Sequence, residues 1–104
     1  MNEFLTREKK LPYCLALPRV LLPYPISSTA KLLYAMLLDR AIWAGEEDAN
    51  GYIYASYPIR ELAKDMKKSV PTAKRSLSEL DEVGFLLRVR TGFAIPSRTY
   101  PLLP

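Results

Sequence analysis

The sequence predicts a mainly α-helical domain closed by a small β-hairpin. Three observations carry that expectation. Apolar residues recur at helical spacing in three segments, near residues 28–44, 58–67 and 69–83. A tight turn at Lys67-Lys68 separates the second segment from the third. Two β-prone runs then flank a glycine-containing loop after Gly84. With 104 residues, the chain suits one compact domain and is too short to enclose a deep enzyme pocket easily.

Taken in order, residues 1–26 read as an extended arm packed on the domain, and residues 27–104 as the domain proper. Pro12, Pro18, Pro23 and Pro25 forbid a long helix and push each preceding residue towards extended geometry. Leu15, Leu17, Val20, Leu21 and Leu22 remain available to pack on a core. The first helix begins at Ser27 or Ser28, either of which can accept an orphan backbone N–H. Its buried stripe is Ala30, Leu33, Tyr34, Leu37, Leu38, Ala41 and Ile42, widened by Leu32, Ala35 and Met36. It runs to about Trp43 or Ala44, where Gly45 and the acidic cluster Glu46, Glu47 and Asp48 end it.

Asn50-Gly51 marks a turn, and Tyr52, Ile53, Tyr54 and Ala55 follow as one short strand. The second helix opens at Pro58, tolerated in a first turn, with Ile59, Leu62, Ala63 and Met66 inward. The third is capped by Ser69, carries Pro71 in its first turn, and buries Val70, Ala73, Leu77, Leu80 and Val83. Gly84 is placed to end it as a C′ glycine. The hairpin is expected from residues 85–90 and 95–100 around Thr91, Gly92, Phe93 and Ala94, with Pro96 holding the second run to an edge.

Composition narrows the chemistry. The chain has no histidine and one cysteine, Cys14, which excludes an internal disulfide, a zinc site built on several Cys or His ligands, and a His-based triad. Cys14 lies in an apolar stretch and reads as a small buried hydrophobe. No catalytic constellation, metal site or cofactor site is expected. The apolar stretch 11–30 is interrupted by prolines and Arg19, so neither a membrane span nor a signal peptide is expected, and the cytoplasm is the default compartment.

The net charge is +4, and its distribution is uneven. From Arg60 to Ser78 there are six basic residues (Arg60, Lys64, Lys67, Lys68, Lys74 and Arg75) against two acids, Glu61 and Asp65. A basic segment set apart from an acidic cluster suits a one-sided surface for a polyanion.

Two short helices joined by a tight turn and followed by a hairpin make a winged helix-turn-helix. The major groove of B-DNA is about 12 Å wide and admits one helix. With Ala73 and Leu77 inward, Thr72, Arg75, Ser78 and Glu79 are expected outward and Lys74 on the flank. An arginine can donate two hydrogen bonds to guanine. Lys67, Lys68 and Ser69 at the helix start suit phosphate, because free N–H groups and the helix dipole attract anions there. Arg88 and Arg90 alternate with Leu87 and Val89 and so share one face, which Arg98 is expected to join from the second strand. The seven tyrosines are spread over several elements and read as core or core edge rather than as a stacking platform.

The segment Ala30-Lys31-Leu32-Leu33-Tyr34-Ala35-Met36-Leu37-Leu38-Asp39-Arg40 resembles a helix of the N-terminal domain of the plasmid replication initiator protein A family. The resemblance continues through residues 50–54, 59–62, 69–80 and 84–86, and ends at Gly92, Pro96 and Tyr100. It implies a winged helix that binds double-stranded DNA at a replication origin, commonly as a homodimer. By motif position it assigns Ser69, Thr72, Lys74, Arg75 and Ser78 to the recognition helix, and Arg88, Arg90 and Arg98 to the wing. Ile95 stands where family wings often carry a lysine. Family members continue into a further domain thought to recruit host replication machinery, so a host replication protein is the expected partner if such a domain exists. The competing expectation is a winged helix used for protein contact or transcriptional regulation, with the apolar arm and Leu102-Leu103 as its adhesive surface.

Overall fold

The computed structural model describes residues 3–90 and 97–104. The expected loop at 91–94, with Ile95 and Pro96, lies outside the described residues. A short 3-10 turn at Arg19–Leu21 leads into α1 (Ser28–Ala44), β1 (Glu46–Glu47), β2 (Ile53–Tyr54), α2 (Ile59–Met66), α3 (Val70–Glu82), β3 (Leu86–Val89) and β4 (Arg98–Pro101).

Of the two serines offered as the first cap, Ser27 fills the role, its Oγ accepting from the Ala30 N–H at 3.0 Å. The helix then buries Ala30, Leu33, Tyr34, Ala35, Leu37 and Ala41. Tyr34 is fully buried at the centre of the core, and its hydroxyl donates to the Leu102 carbonyl at 2.9 Å. That bond gives the polar tip of a buried aromatic its partner and fixes the C-terminal tail. Ile42, expected in the buried stripe, is instead 56% exposed. Ala41 beside it is buried, whereas Ile42 borders an open groove with Ile53, Val89 and Leu103.

Glu46–Glu47 is a strand rather than a helix terminator. It pairs antiparallel with Ile53–Tyr54, Glu46 opposite Tyr54 and Glu47 opposite Ile53. Gly45 makes this possible: a Cβ there would collide with the backbone carbonyl oxygens of Ala41 and Tyr54. The helix can therefore turn directly into a strand that lies against its own end.

The helix α2 buries Leu62, Ala63 and Met66 as expected, with Ile59 half-buried. It closes in a left-handed turn at Lys67, φ 56°, and Lys68 donates to the Ala63 carbonyl at 2.9 Å. A non-glycine residue in that conformation costs about 1 kcal/mol or more. The helix α3 is capped by Ser69 and buries Ala73, Ser76, Leu77 and Leu80. Ser76 is tolerated inside because its hydroxyl donates to the Thr72 carbonyl at 3.1 Å. Val70 and Val83 are half-buried. Gly84 adopts φ 81°, and Phe85 donates back to the Leu80 carbonyl at 2.9 Å, the C′ ending anticipated for this glycine.

The hairpin pairs Leu86 with Pro101, Leu87 with Tyr100, Arg88 with Thr99 and Val89 with Arg98. A single bridge ties it to the strand before α2: Ala55 and Thr99 exchange two backbone hydrogen bonds of 2.9 Å. One core links the three helices and the hairpin through Leu33, Tyr34, Leu37, Leu62, Leu77, Leu80 and Leu86. In the arm, Leu21 is fully buried in that core and Leu17 packs against it, whereas Leu15, Val20 and Leu22 are exposed. Cys14, expected to be buried, is exposed, as is the whole stretch from Leu11 to Ala16 around it. Tyr13 in this stretch donates a hydrogen bond to Asp39 of α1.

Candidate nucleic-acid interface

The solvent face of α3 follows from its buried one. Ala73, Ser76, Leu77 and Leu80 fix the inward direction, which leaves Pro71, Lys74, Arg75, Ser78, Asp81 and Glu82 exposed. At the helix start, Ser69 accepts from the Thr72 N–H at 3.3 Å and donates to the Thr72 hydroxyl at 2.9 Å. The Arg75 guanidinium reaches the same hydroxyl at 3.5 Å, so Ser69, Thr72 and Arg75 form one chain of polar groups along the helix. Lys67 and Lys68 stand exposed at the turn before it. The structure thus groups Lys67, Lys68, Ser69, Thr72, Lys74, Arg75 and Ser78 along one helix and the turn that leads into it.

Glu79 departs from its expected outward position. It is half-buried, and its two carboxylate oxygens accept from the Ser27 N–H at 2.9 Å and the Ser27 hydroxyl at 2.6 Å. Those two bonds hold the Glu79 carboxyl below its ordinary value, with burial opposing them and the Arg75 charge adding to them. An acid that would repel phosphate is thereby turned to the N-terminus of α1.

The wing divides differently from its expected form. Side chains alternate across a strand, and directly opposed residues share a face. Arg88 and Arg90 therefore lie on one face with Thr99, the face that carries the buried Leu86. Arg98 pairs with Val89 and so lies on the opposite face, which corrects the expectation that it joins Arg88 and Arg90. Its guanidinium sits 4.5 Å from the centre of the Tyr54 ring. Tyr54 and Tyr100 are themselves 5.4 Å apart, and the Tyr100 hydroxyl donates to Asp48 at 3.0 Å. Asp48 also accepts from the N–H groups of Asn50 and Tyr52, closing the turn before β2.

Two tyrosine-centred clusters thus escaped the sequence. One is Tyr54, Tyr100, Arg98 and Asp48. In the other, the Arg40 guanidinium lies 3.8 Å over the Tyr57 ring and pairs with Glu61 at 2.8 Å, while Tyr57 donates to Asp65. Their members are spread over the chain and make no spacing motif; only the clustering of tyrosines beside charged residues hinted at them.

The two hairpin faces border two different concavities. Arg88, Arg90 and Thr99 line a cleft of about 450 Å³ against the start of α2 and Leu77 of α3. Leu87, Val89 and Tyr100 line an apolar groove of about 730 Å³ with Ile42, Ile53 and Leu103. Among the described residues, no group of three metal-ligating side chains occurs, and no helix is long and apolar enough to cross a membrane.

Three helices, with the second and third joined by a tight left-handed turn and a hairpin bridged back to the strand before them, define a winged helix-turn-helix. The chain belongs to the family described as the N-terminus of replication initiator protein A, whose model matches residues 12–102. Three solved structures are similar. One, described as the N-terminal domain of a DNA binding protein, has a TM-score of 0.75 at 22% identity and covers 100% of this chain and 86% of its own. A second, described as a Rep-DNA complex, has a TM-score of 0.74 at 22% identity, with 88% and 76% covered. A third, described as an MDR initiator, has a TM-score of 0.69 at 26% identity, with 98% and 87% covered. No curated protein matches the chain.

Proposed function

We propose that this chain is the double-stranded DNA-binding module of a replication initiator or of a regulator of initiation, and that it binds rather than catalyses. In this reading α3 enters the major groove, and Arg75 reads a base edge with Lys74 and Ser78 beside it. Lys67, Lys68, Ser69 and Thr72 hold the adjoining phosphates, and Arg88 and Arg90 of the wing contact the backbone. The observation that carries the reading is the outer face of α3: exposed basic and hydroxyl side chains on a helix whose opposite face is locked in the core. Family membership and the likeness to a structure described as a Rep-DNA complex support it.

The test is fluorescence anisotropy with a pool of labelled duplexes at two salt concentrations. Phosphate contacts release counterions, so affinity falls steeply as salt rises. Arg75→Ala is expected to weaken binding and to flatten the preference among duplexes, at about 1–3 kcal/mol for a bidentate base contact. Binding by the wild type that ignores sequence would retain the phosphate contacts and remove the base-reading role. A homodimer on a two-fold site follows from the same reading, and light scattering with and without duplex checks it.

The apolar groove favours a second reading, protein contact. Leu103 and Ile42 stand exposed there, and apolar surface of this kind suits a partner chain. Association that is insensitive to salt, with no affinity for any duplex, is the outcome that would put this reading first.

A further inference from the structure

The N-terminal arm and the apolar groove each leave large side chains uncovered. Followed back from Leu15 to Tyr13, the arm climbs α1. Leu15 shares a small hollow with Met36 and Arg40, and the Tyr13 ring packs edge-on, 6.2 Å from that of Trp43. Residues 3–11 then continue past the end of the helix, and all of them are exposed. The radius of gyration, 15.2 Å against about 13 Å for a compact chain of this length, reflects that projection. Phe4 and Leu5, towards its far end, are 92% and 76% exposed.

The groove has the complementary lack. Leu38 and Ile42 of α1 line it with Leu87 and Val89 of the wing, and Ile53 and Leu103 lie beside them. Ile42, Ile53, Leu87 and Leu103 stay exposed. The charges match too. Glu47 stands opposite Ile53 and so shares its face, and Asp48 lines the groove. The arm carries Arg7, Lys9 and Lys10 around a single acid, Glu8. Lys9 pairs with Glu3 within the arm, whereas Arg7 and Lys10 belong to no ion pair among the described residues. The arm lies on the stripe of α1 that holds Met36, Asp39, Arg40 and Trp43, and the groove uses Leu38, Ala41 and Ile42. At helical spacing these stripes fall on nearly opposite sides. The arm therefore leads away from its own groove and towards a neighbouring molecule.

We propose that residues 3–11 of one copy dock in the apolar groove of a second copy, and the reverse. Phe4 and Leu5 fill the groove, and Arg7 and Lys10 meet Glu47 at its edge. Two such exchanges close a two-fold pair with neither an arm nor a groove left over. The contact needs no duplex, so it stands apart from the DNA-binding reading.

Sedimentation equilibrium without DNA compares the full chain with Phe4→Ser/Leu5→Ser, with Ile53→Glu, and with Val20→Ser as an exposed control off both surfaces. Circular dichroism first matches their folded fractions. The wild type and Val20→Ser are expected to dimerise alike. Each of the other variants is expected to weaken the dimer by about a hundredfold or more, since a two-fold pair loses every contact twice. Cross-linking then identifies the partner. In a Cys14→Ser background, chains with Leu5→Cys and chains with Ile53→Cys are prepared separately, mixed and oxidised gently. A disulfide between the two different chains, seen by mass spectrometry, is expected. A wild type that stays monomeric overturns the inference, and so does a dimer indifferent to Phe4→Ser/Leu5→Ser. A mixture that yields only like-with-like disulfides overturns it as well. So does a chain carrying both cysteines that closes on itself as a monomer, which would put the arm in its own groove.

Discussion

Glu79, near the end of α3, accepts two hydrogen bonds from Ser27, the capping residue of α1, 52 positions earlier in the chain. Ser27 in turn caps α1 through the Ala30 N–H. The carboxylate also places negative charge at a helix N-terminus, where the dipole favours it. One side chain thus orients the serine that starts α1 while docking that helix on α3.

Replacing Glu79 by Gln should cost about 1 kcal/mol of stability, the usual scale for a hydrogen-bonded cap. The loss should depend on pH. The folded-state carboxyl lies below the ordinary 4.5, so the unfolded chain binds the proton more readily and stability rises with pH through this window. The charge-dependent part is complete above about 4.5 and disappears as pH falls through the lower folded value. Denaturant melts from pH 7 to pH 3 should show the wild type losing its advantage over Glu79→Gln in that interval. Duplex affinity should be nearly unaffected, because the carboxylate faces α1.

Gly45→Ala tests the passage from α1 to β1. The added methyl would meet two backbone carbonyls, which cannot rotate aside as a side-chain end can. The expected cost is on the order of 2–3 kcal/mol. In a domain of this size that lowers Tm by roughly 10 °C or more. Calorimetry checks it, and a variant melting within a degree or two of the wild type would mean that β1 can leave its place without consequence.

Tyr57 gives an alkaline counterpart. Burial pushes its hydroxyl up to about 12, and the hydrogen bond to Asp65 adds to the rise, against the nearby Arg40 charge. Since the folded value is above the ordinary 10.0, the fold favours the neutral phenol. The contribution is whole below pH 10 and is lost as pH climbs towards 12. Tyr57→Phe should flatten the fall in stability over that range, and ultraviolet titration should show one late-ionising tyrosine fewer.

Arg98→Ala separates the two hairpin faces. Arg98 lies over Tyr54, on the side opposite Arg88 and Arg90. Its removal should lower Tm by less than Gly45→Ala does and leave the salt dependence of duplex binding unchanged. A slope reduced by about one unit would show instead that Arg98 reaches a phosphate.

The three helices were legible from their apolar spacing, and α1 and α3 carry further agreeing signals. Ser27 and Ser69 cap, Pro71 sits in a first turn, Gly84 stops α3, and the apolar stripes keep the helical period. What escaped depends on information beyond local sequence. Glu46–Glu47 gave no strand signal, since glutamate is a poor strand former; pairing with β2 and the close approach at Gly45 impose the strand. Arg98 was misplaced because a hairpin register shifted by one residue exchanges the faces of every side chain, and the residue count alone does not settle that shift. In the candidate interface, the outer residues of α3 followed from its period. The role of Glu79 did not, because its partner lies on another helix.

The bridge between Ala55 and Thr99 joins the second strand of the wing to the residues that run directly into α2. Wing and helices are therefore parts of a single gauge rather than two fingers on a hinge. Any long partner that touches both must match a span set when the chain folds, and a partner with the wrong spacing cannot be met by swinging one part towards the other.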